Sequence, residues 1–110
     1  MGNSTIKLNS EHIEKALLNI DRAIQTGRFK LAQDLIKKLI KSELNRNQKN
    51  ELSNLCRRVG WPQKGLELLK DIFNPNSFIQ PNFQEQISYS ANLIQMGLSF
   101  EAEIRLNKLI

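Results

Sequence analysis

The sequence predicts an all-α chain. Apolar residues return every three or four positions along most of it, and the few glycines and prolines fall where those stretches end. Aromatic residues are only 6% of the chain, which suits aliphatic helix packing better than a β-sandwich core. No stretch reads as a strand, and six helices follow from the pattern.

Residues 1–9 read as a polar leader. Ser10, followed by Glu11 and Glu14, has the form of an N-cap with acidic residues in the first turn. The first helix carries Ile13, Ala16, Leu17, Ile20, Ala23 and Ile24 on one stripe and stops at Thr26-Gly27. A second helix is expected over about 28–42, with Phe29, Ala32, Leu35, Ile36, Leu39 and Ile40 on its apolar side and Lys37, Lys38 and Lys41 near the negative end of its dipole. Asn45 with Gln48 three residues on forms a capping box for a third helix bearing Leu52, Leu55, Cys56 and Val59, which Gly60 ends. Pro62 suits the first turn of a fourth helix running through Leu66, Leu68, Leu69, Ile72 and Phe73. Residues 74–81, with Pro75 and Pro81, form a loop. Asn82 and Glu85 box a fifth helix that runs to Met96-Gly97, and Ser99 caps a sixth that reaches Ile110.

With 110 residues, the chain has room for one compact domain. A hydrophobic share of 40% and a charged share of 25% place it among ordered globular proteins. No apolar run is long enough to cross a membrane, and no secretory signal opens the chain. One cysteine cannot form an internal disulfide, so a cytoplasmic location is the expectation. The net charge is +5, with 14 Lys and Arg against 8 Asp and Glu through Phe73 and 2 against 3 from Asn74 onward. A basic excess of this kind fits solvated helix faces, an acidic partner or nucleic acid.

The three helix-ending glycines lead one repeated pattern. Gly27, Gly60 and Gly97 are each followed five residues later by a small residue, Ala32, Gly65 and Ala102. Bulky aliphatics follow: Ile36, Leu69 and Leu106, then Leu39, Ile72 and Leu109. The glycines are 33 and 37 residues apart, the longer interval holding the proline loop. The small residue lets two helices of a hairpin approach, the bulky ones fill the space between hairpins, and the hairpins stack as a solenoid.

Gly27-Arg28-Phe29-Lys30-Leu31-Ala32, with Ala32-x3-Ile36, Gly65-x3-Leu69 and Ala102-x3-Leu106, resembles the second half of the tetratricopeptide repeat. Leu52-Ser53-x2-Cys56 and Tyr89-Ser90-x2-Leu93 retain part of the first half, while the signature proline is missing. The resemblance covers residues 10–110 as a single domain, with repeats at about 10–44, 45–81 and 82–110. It implies a right-handed α-solenoid of three helix–turn–helix units. It also implies a non-enzymatic role, with an inner groove, lined by the first helix of each pair, that holds a peptide or helix of a partner protein. The apolar end Leu109-Ile110, with no capping helix after it, implies a longer array, a partner or a second copy of the chain on that end.

The residue inventory offers no catalytic set, cofactor loop or metal site. His12 is the sole histidine and Cys56 the sole cysteine, and Cys56 falls among core positions. On the third helix Asn47, Asn50, Asn54 and Arg58 share one face, opposite Leu52, Cys56 and Val59. Asparagine both donates and accepts, so such a face can hold a peptide backbone, with Arg58 and Arg57 available to a carboxylate. The members of the family that clamp chaperone carboxylates do so with Lys, Asn and Arg, whereas Leu17, Asp21, Glu51, Gln84 and Ser88 stand at those inner positions here. Two alternatives remain open. The stretch 52–60 also resembles the first helix of a pentatricopeptide repeat, which would bind RNA, and the apolar C-terminal helix could serve self-association.

Overall fold

The computed structural model describes residues 9–97 and Asn107. Within them the chain is all-helical, with five helices and no strand: α1 (Ser10–Gln25), α2 (Phe29–Leu39), α3 (Arg46–Arg58), α4 (Pro62–Leu69) and α5 (Phe83–Gln95). The expected sixth helix lies outside the described residues except for Asn107, which is helical. Ala102, Leu106 and Leu109 of the third repeated pattern lie outside them too.

Local chemistry sets each helix boundary. Asn9, not Ser10, caps α1: its Oδ1 accepts the backbone N–H of His12 at 2.8 Å, and Ser10 is the first helical residue. Both oxygens can cap, but only the earlier residue has the extended backbone that the cap position requires. The two capping boxes form as the sequence predicts. Asn45 Oδ1 accepts from Gln48 N and Gln48 Oε1 from Asn45 N, and Asn82 and Glu85 do the same for α5. α2 is shorter than expected, ending at Leu39 so that Lys41 lies beyond it, and α4 stops at Leu69 rather than Phe73.

The glycines that follow α1, α3 and α5 have similar backbones. Gly27, Gly60 and Gly97 have φ of 76°, 86° and 84°, the left-handed region that L side chains rarely adopt. After α1, Arg28 N donates to Ala23 O and Gly27 N to Ile24 O; after α3, Trp61 N donates to Cys56 O and Gly60 N to Arg57 O. This is the same Schellman closure twice, and it sends α2 and α4 back along the helices they follow.

The backbones of α1 and α2 approach each other and α3, while α3 approaches α4 and α5, and α4 approaches α5. Neither α1 nor α2 comes close to the backbone of α4 or α5. The first three helices share an apolar core in which Ile20, Ala32, Ile36, Leu52 and Cys56 are wholly buried. Each large aliphatic buried this way contributes about 1.5–3 kcal/mol.

Between α3 and α5 the contact is mostly polar. Asn92 Nδ2 donates to Ser53 Oγ (3.1 Å) and to the carbonyl of Ser88, Asn54 Nδ2 donates to Ser88 Oγ (3.0 Å), and Gln95 Nε2 donates to the carbonyl of Arg57. Ser53, Ser88 and Asn92 are all buried there. Arg46, in the first turn of α3, grips Glu85 of α5 through Nε and Nη2, both at 2.6 Å, and Nη2 also donates to the carbonyl of Gln80. Phe73 of the loop stacks on Tyr89 with ring centroids 4.0 Å apart.

Candidate partner groove between α1 and α3

Two stripes of identical spacing face each other across α1 and α3. Glu14, Leu17, Leu18 and Asp21 stand at i, i+3, i+4 and i+7 of the first, and Glu51, Asn54, Leu55 and Arg58 at the same intervals of the second. That spacing keeps all four residues of a stripe on one side of a helix. Together they line an open depression of about 500 Å³. Leu17 and Leu55 are buried in its floor, and Leu18 is exposed.

The depression is acidic although the chain is basic. Arg58 Nη1 meets Asp21 Oδ1 at 2.6 Å, and Gln25 Nε2 donates to Asp21 Oδ2 at 2.8 Å. Glu14 and Glu51 have no ion-pair partner among the described residues. Gln48 Nε2 donates to Glu14 Oε2 (3.0 Å) and Ser10 Oγ (3.2 Å), a neutral hydrogen bond that leaves the carboxylate charge in place. Partial burial and the neighbouring Glu14 charge raise the Glu51 carboxyl above its ordinary range.

The residues that the sequence singles out are only partly brought together. Asn54 and Arg58 line the depression. Asn54 is already engaged, however, since its amide donates to Ser88 and its Oδ1 accepts from Arg57 Nη2 at 3.2 Å. The Arg58 guanidinium, expected to meet a partner's carboxylate, pairs with Asp21. Asn47 is exposed in the first turn of α3, and Asn50 is half-buried with an unbonded Oδ1; neither lines the depression. The polar face thus divides its work: Asn54 joins α3 to α5, Arg57 bonds back to Asn54, and Arg58 joins α3 to α1.

Glu14 and Leu18 were missed by the sequence reading. The signal was present in the matched stripes, but it becomes visible only when the two helices are laid side by side. Of the other inner positions, Leu17, Asp21 and Glu51 do face the depression, whereas Gln84 is exposed on α5 and Ser88 is buried in the polar seam.

Cys56 is wholly buried, and burial pushes its thiol up to about 12, with nearby Lys64 opposing the shift. Among the described residues no group of three or more His, Cys, Asp or Glu is placed to hold a metal ion, and no helix is long and apolar enough to cross a membrane. Comparison with protein-family models, curated proteins and solved structures gave no match.

Proposed function

We propose that this chain is a non-enzymatic protein-interaction module, a tetratricopeptide-like solenoid whose α1–α3 groove takes a basic segment of a partner protein. Successive backbone contacts, repeated Schellman turns and the close approach at Gly65 support the solenoid reading. One observation carries the functional reading: two carboxylates without ion-pair partners among the described residues, Glu14 and Glu51, flank a leucine floor. A Lys or Arg of the partner would neutralise them while a neighbouring apolar side chain covers Leu17, Leu18 and Leu55. Within the stretch 52–60 that resembles a pentatricopeptide helix, Arg58 is paired with Asp21, which weighs against the RNA-binding reading.

The test is calorimetric titration with a peptide of alternating Lys and Leu. We expect saturable binding that weakens about tenfold in the E14Q/E51Q double variant, the factor corresponding to one charge-assisted contact. Equal affinity for the double variant, or preference for the Glu/Leu counterpart at this groove, would remove the proposal.

A further inference from the structure

A second recess of opposite charge lies where α2 meets the start of α4. It has a volume of about 320 Å³ and is lined by Ile36, Lys37, Ile40, Lys41, Trp61 and Lys64. Ile36 is wholly buried beneath it, and Ile40 and Trp61 are half-buried at its sides. All three lysines are exposed. No carboxylate lines the recess, and none of the three lysines has an ion-pair partner among the described residues.

The lysines are gathered by the fold. Lys37 stands in the last turn of α2 and Lys41 just past its end, and both line the recess. The Schellman turn at Gly60 delivers Trp61 to the head of α4, and Lys64 follows one turn on. Lys37 Nζ stands 5.8 Å from the Trp61 ring centroid and Lys64 Nζ 5.6 Å, both within cation–π reach. The ring thus draws two ammonium groups to a recess that Lys41 also lines, and an anion there would offset the three like charges.

The same geometry narrows the kind of anion. A nucleobase stacks on an open aromatic face, and here the ring already has two cations over it. The apolar lining is Ile36 beneath with Ile40 and Trp61 at the sides, a surface that an aliphatic side chain can cover. We propose that this recess binds an acidic peptide segment of a partner, with an aliphatic side chain seated between Ile40 and Trp61 and its flanking carboxylates on Lys37, Lys41 and Lys64. The site uses other helices and the opposite charge from the α1–α3 groove, so it stands independently of that groove.

Trp61 is the only tryptophan in the chain. It lines this recess and an adjoining depression with Glu67 and Met96, and because Lys37 lines only the recess, loss of the emission signal in K37E assigns it to the recess. The full chain would be titrated with a peptide of alternating Glu and Leu, with an oligoglutamate of equal charge and with a single-stranded oligouridylate. The expected result is a saturable change in emission with the Glu/Leu peptide, and oligoglutamate binding about tenfold more weakly for want of the aliphatic anchor. K37E and K64E should each weaken the peptide by about tenfold, while K70E, the same charge change outside the recess, leaves it within about twofold, as screening of separated exposed charges requires. Melting followed by circular dichroism should show all three variants folded at the titration temperature, with K37E and K64E lower in Tm than K70E because they lose their contacts with the Trp61 ring. Tighter binding of oligouridylate than of the peptide would make this a nucleic-acid site and overturn the proposal. Equal affinity for oligoglutamate, equal loss in K70E, or no saturable change with the Glu/Leu peptide would overturn it as well.

Discussion

Gly65 and Ser53 meet backbone to backbone. A Cβ on Gly65 would stand 2.8 Å from the carbonyl oxygen of Ser53, and Ser53 Oγ donates to the carbonyl of Gly65 at 2.8 Å. The same Cβ would lie 2.5 Å from Asn92 Oδ1. In an isolated helix, Gly65→Ala would stabilise by about 1 kcal/mol. Here the overpacking against a backbone atom outweighs that gain, and we expect a net loss of about 1–2 kcal/mol. Urea unfolding of G65A measures it, and an unchanged midpoint would show that α3 and α4 separate freely.

The Arg46–Glu85 pair makes a pH-dependent contribution. Burial pushes the Glu85 carboxyl up, but the Arg46 hydrogen bonds, the Asn82 backbone N–H and the Arg46 charge pull it down further, so it lies below the ordinary range. A carboxyl lowered on folding adds stability that is complete above its unfolded value, about 4.3, and that is lost as pH falls through its folded value. Arg46→Ala should cost about 2–3 kcal/mol at neutral pH, less than a fully buried pair because the Arg46 side chain is 40% exposed. The difference between wild type and E85Q should shrink below about pH 4, as thermal melts across pH would record.

Glu51 has the opposite sign. Its carboxyl is raised by burial and by Glu14, so its contribution favours the fold below its unfolded value and is lost as pH rises through the folded one. Glu51→Gln should therefore raise Tm at neutral pH and have no effect in acid. A Tm lowered by E51Q at neutral pH would mean that the carboxylate is held by a partner within the chain.

Cys56 should be almost inert while the chain is folded. With its thiol pushed up to about 12, the thiolate fraction at neutral pH is about a thousandfold below that of a free cysteine. Labelling with a thiol reagent should proceed only through unfolding. Rapid labelling at a rate insensitive to denaturant would place the sulfur at the surface.

Much of the fold was legible because its signals are local. The Asn45–Gln48 and Asn82–Glu85 boxes, Pro62 at a helix start and the left-handed glycines each depend on a few neighbouring residues. The exchange of Asn9 for Ser10 as cap, and the early ends of α2 and α4, are the usual failure of that method, since adjacent residues compete for one role. The site was less legible. A polar stripe on α3 is visible in the sequence, but whether an asparagine awaits a ligand or holds another helix depends on what stands opposite. Ser88 lies 34 residues from Asn54, and Asp21 lies 37 from Arg58, so each partner is fixed only by the tertiary arrangement. The acidity of the groove escaped notice for a related reason: Glu14 and Glu51 become neighbours only when α1 lies along α3.

The unlike seams on the two sides of α3 have a mechanical consequence. Against α1 the middle of the contact is aliphatic and without direction, and the directional bonds sit at its two ends, Gln48 to Ser10 and Glu14 at one and Arg58 to Asp21 at the other. Against α5 the serines, Asn92 and Arg46 need particular donors opposite particular acceptors, so any slip breaks several bonds together. The α1–α3 cleft should therefore widen around an occupant once Arg58 releases Asp21, while the α3–α5 junction, with more bonds to break at once, keeps its shape.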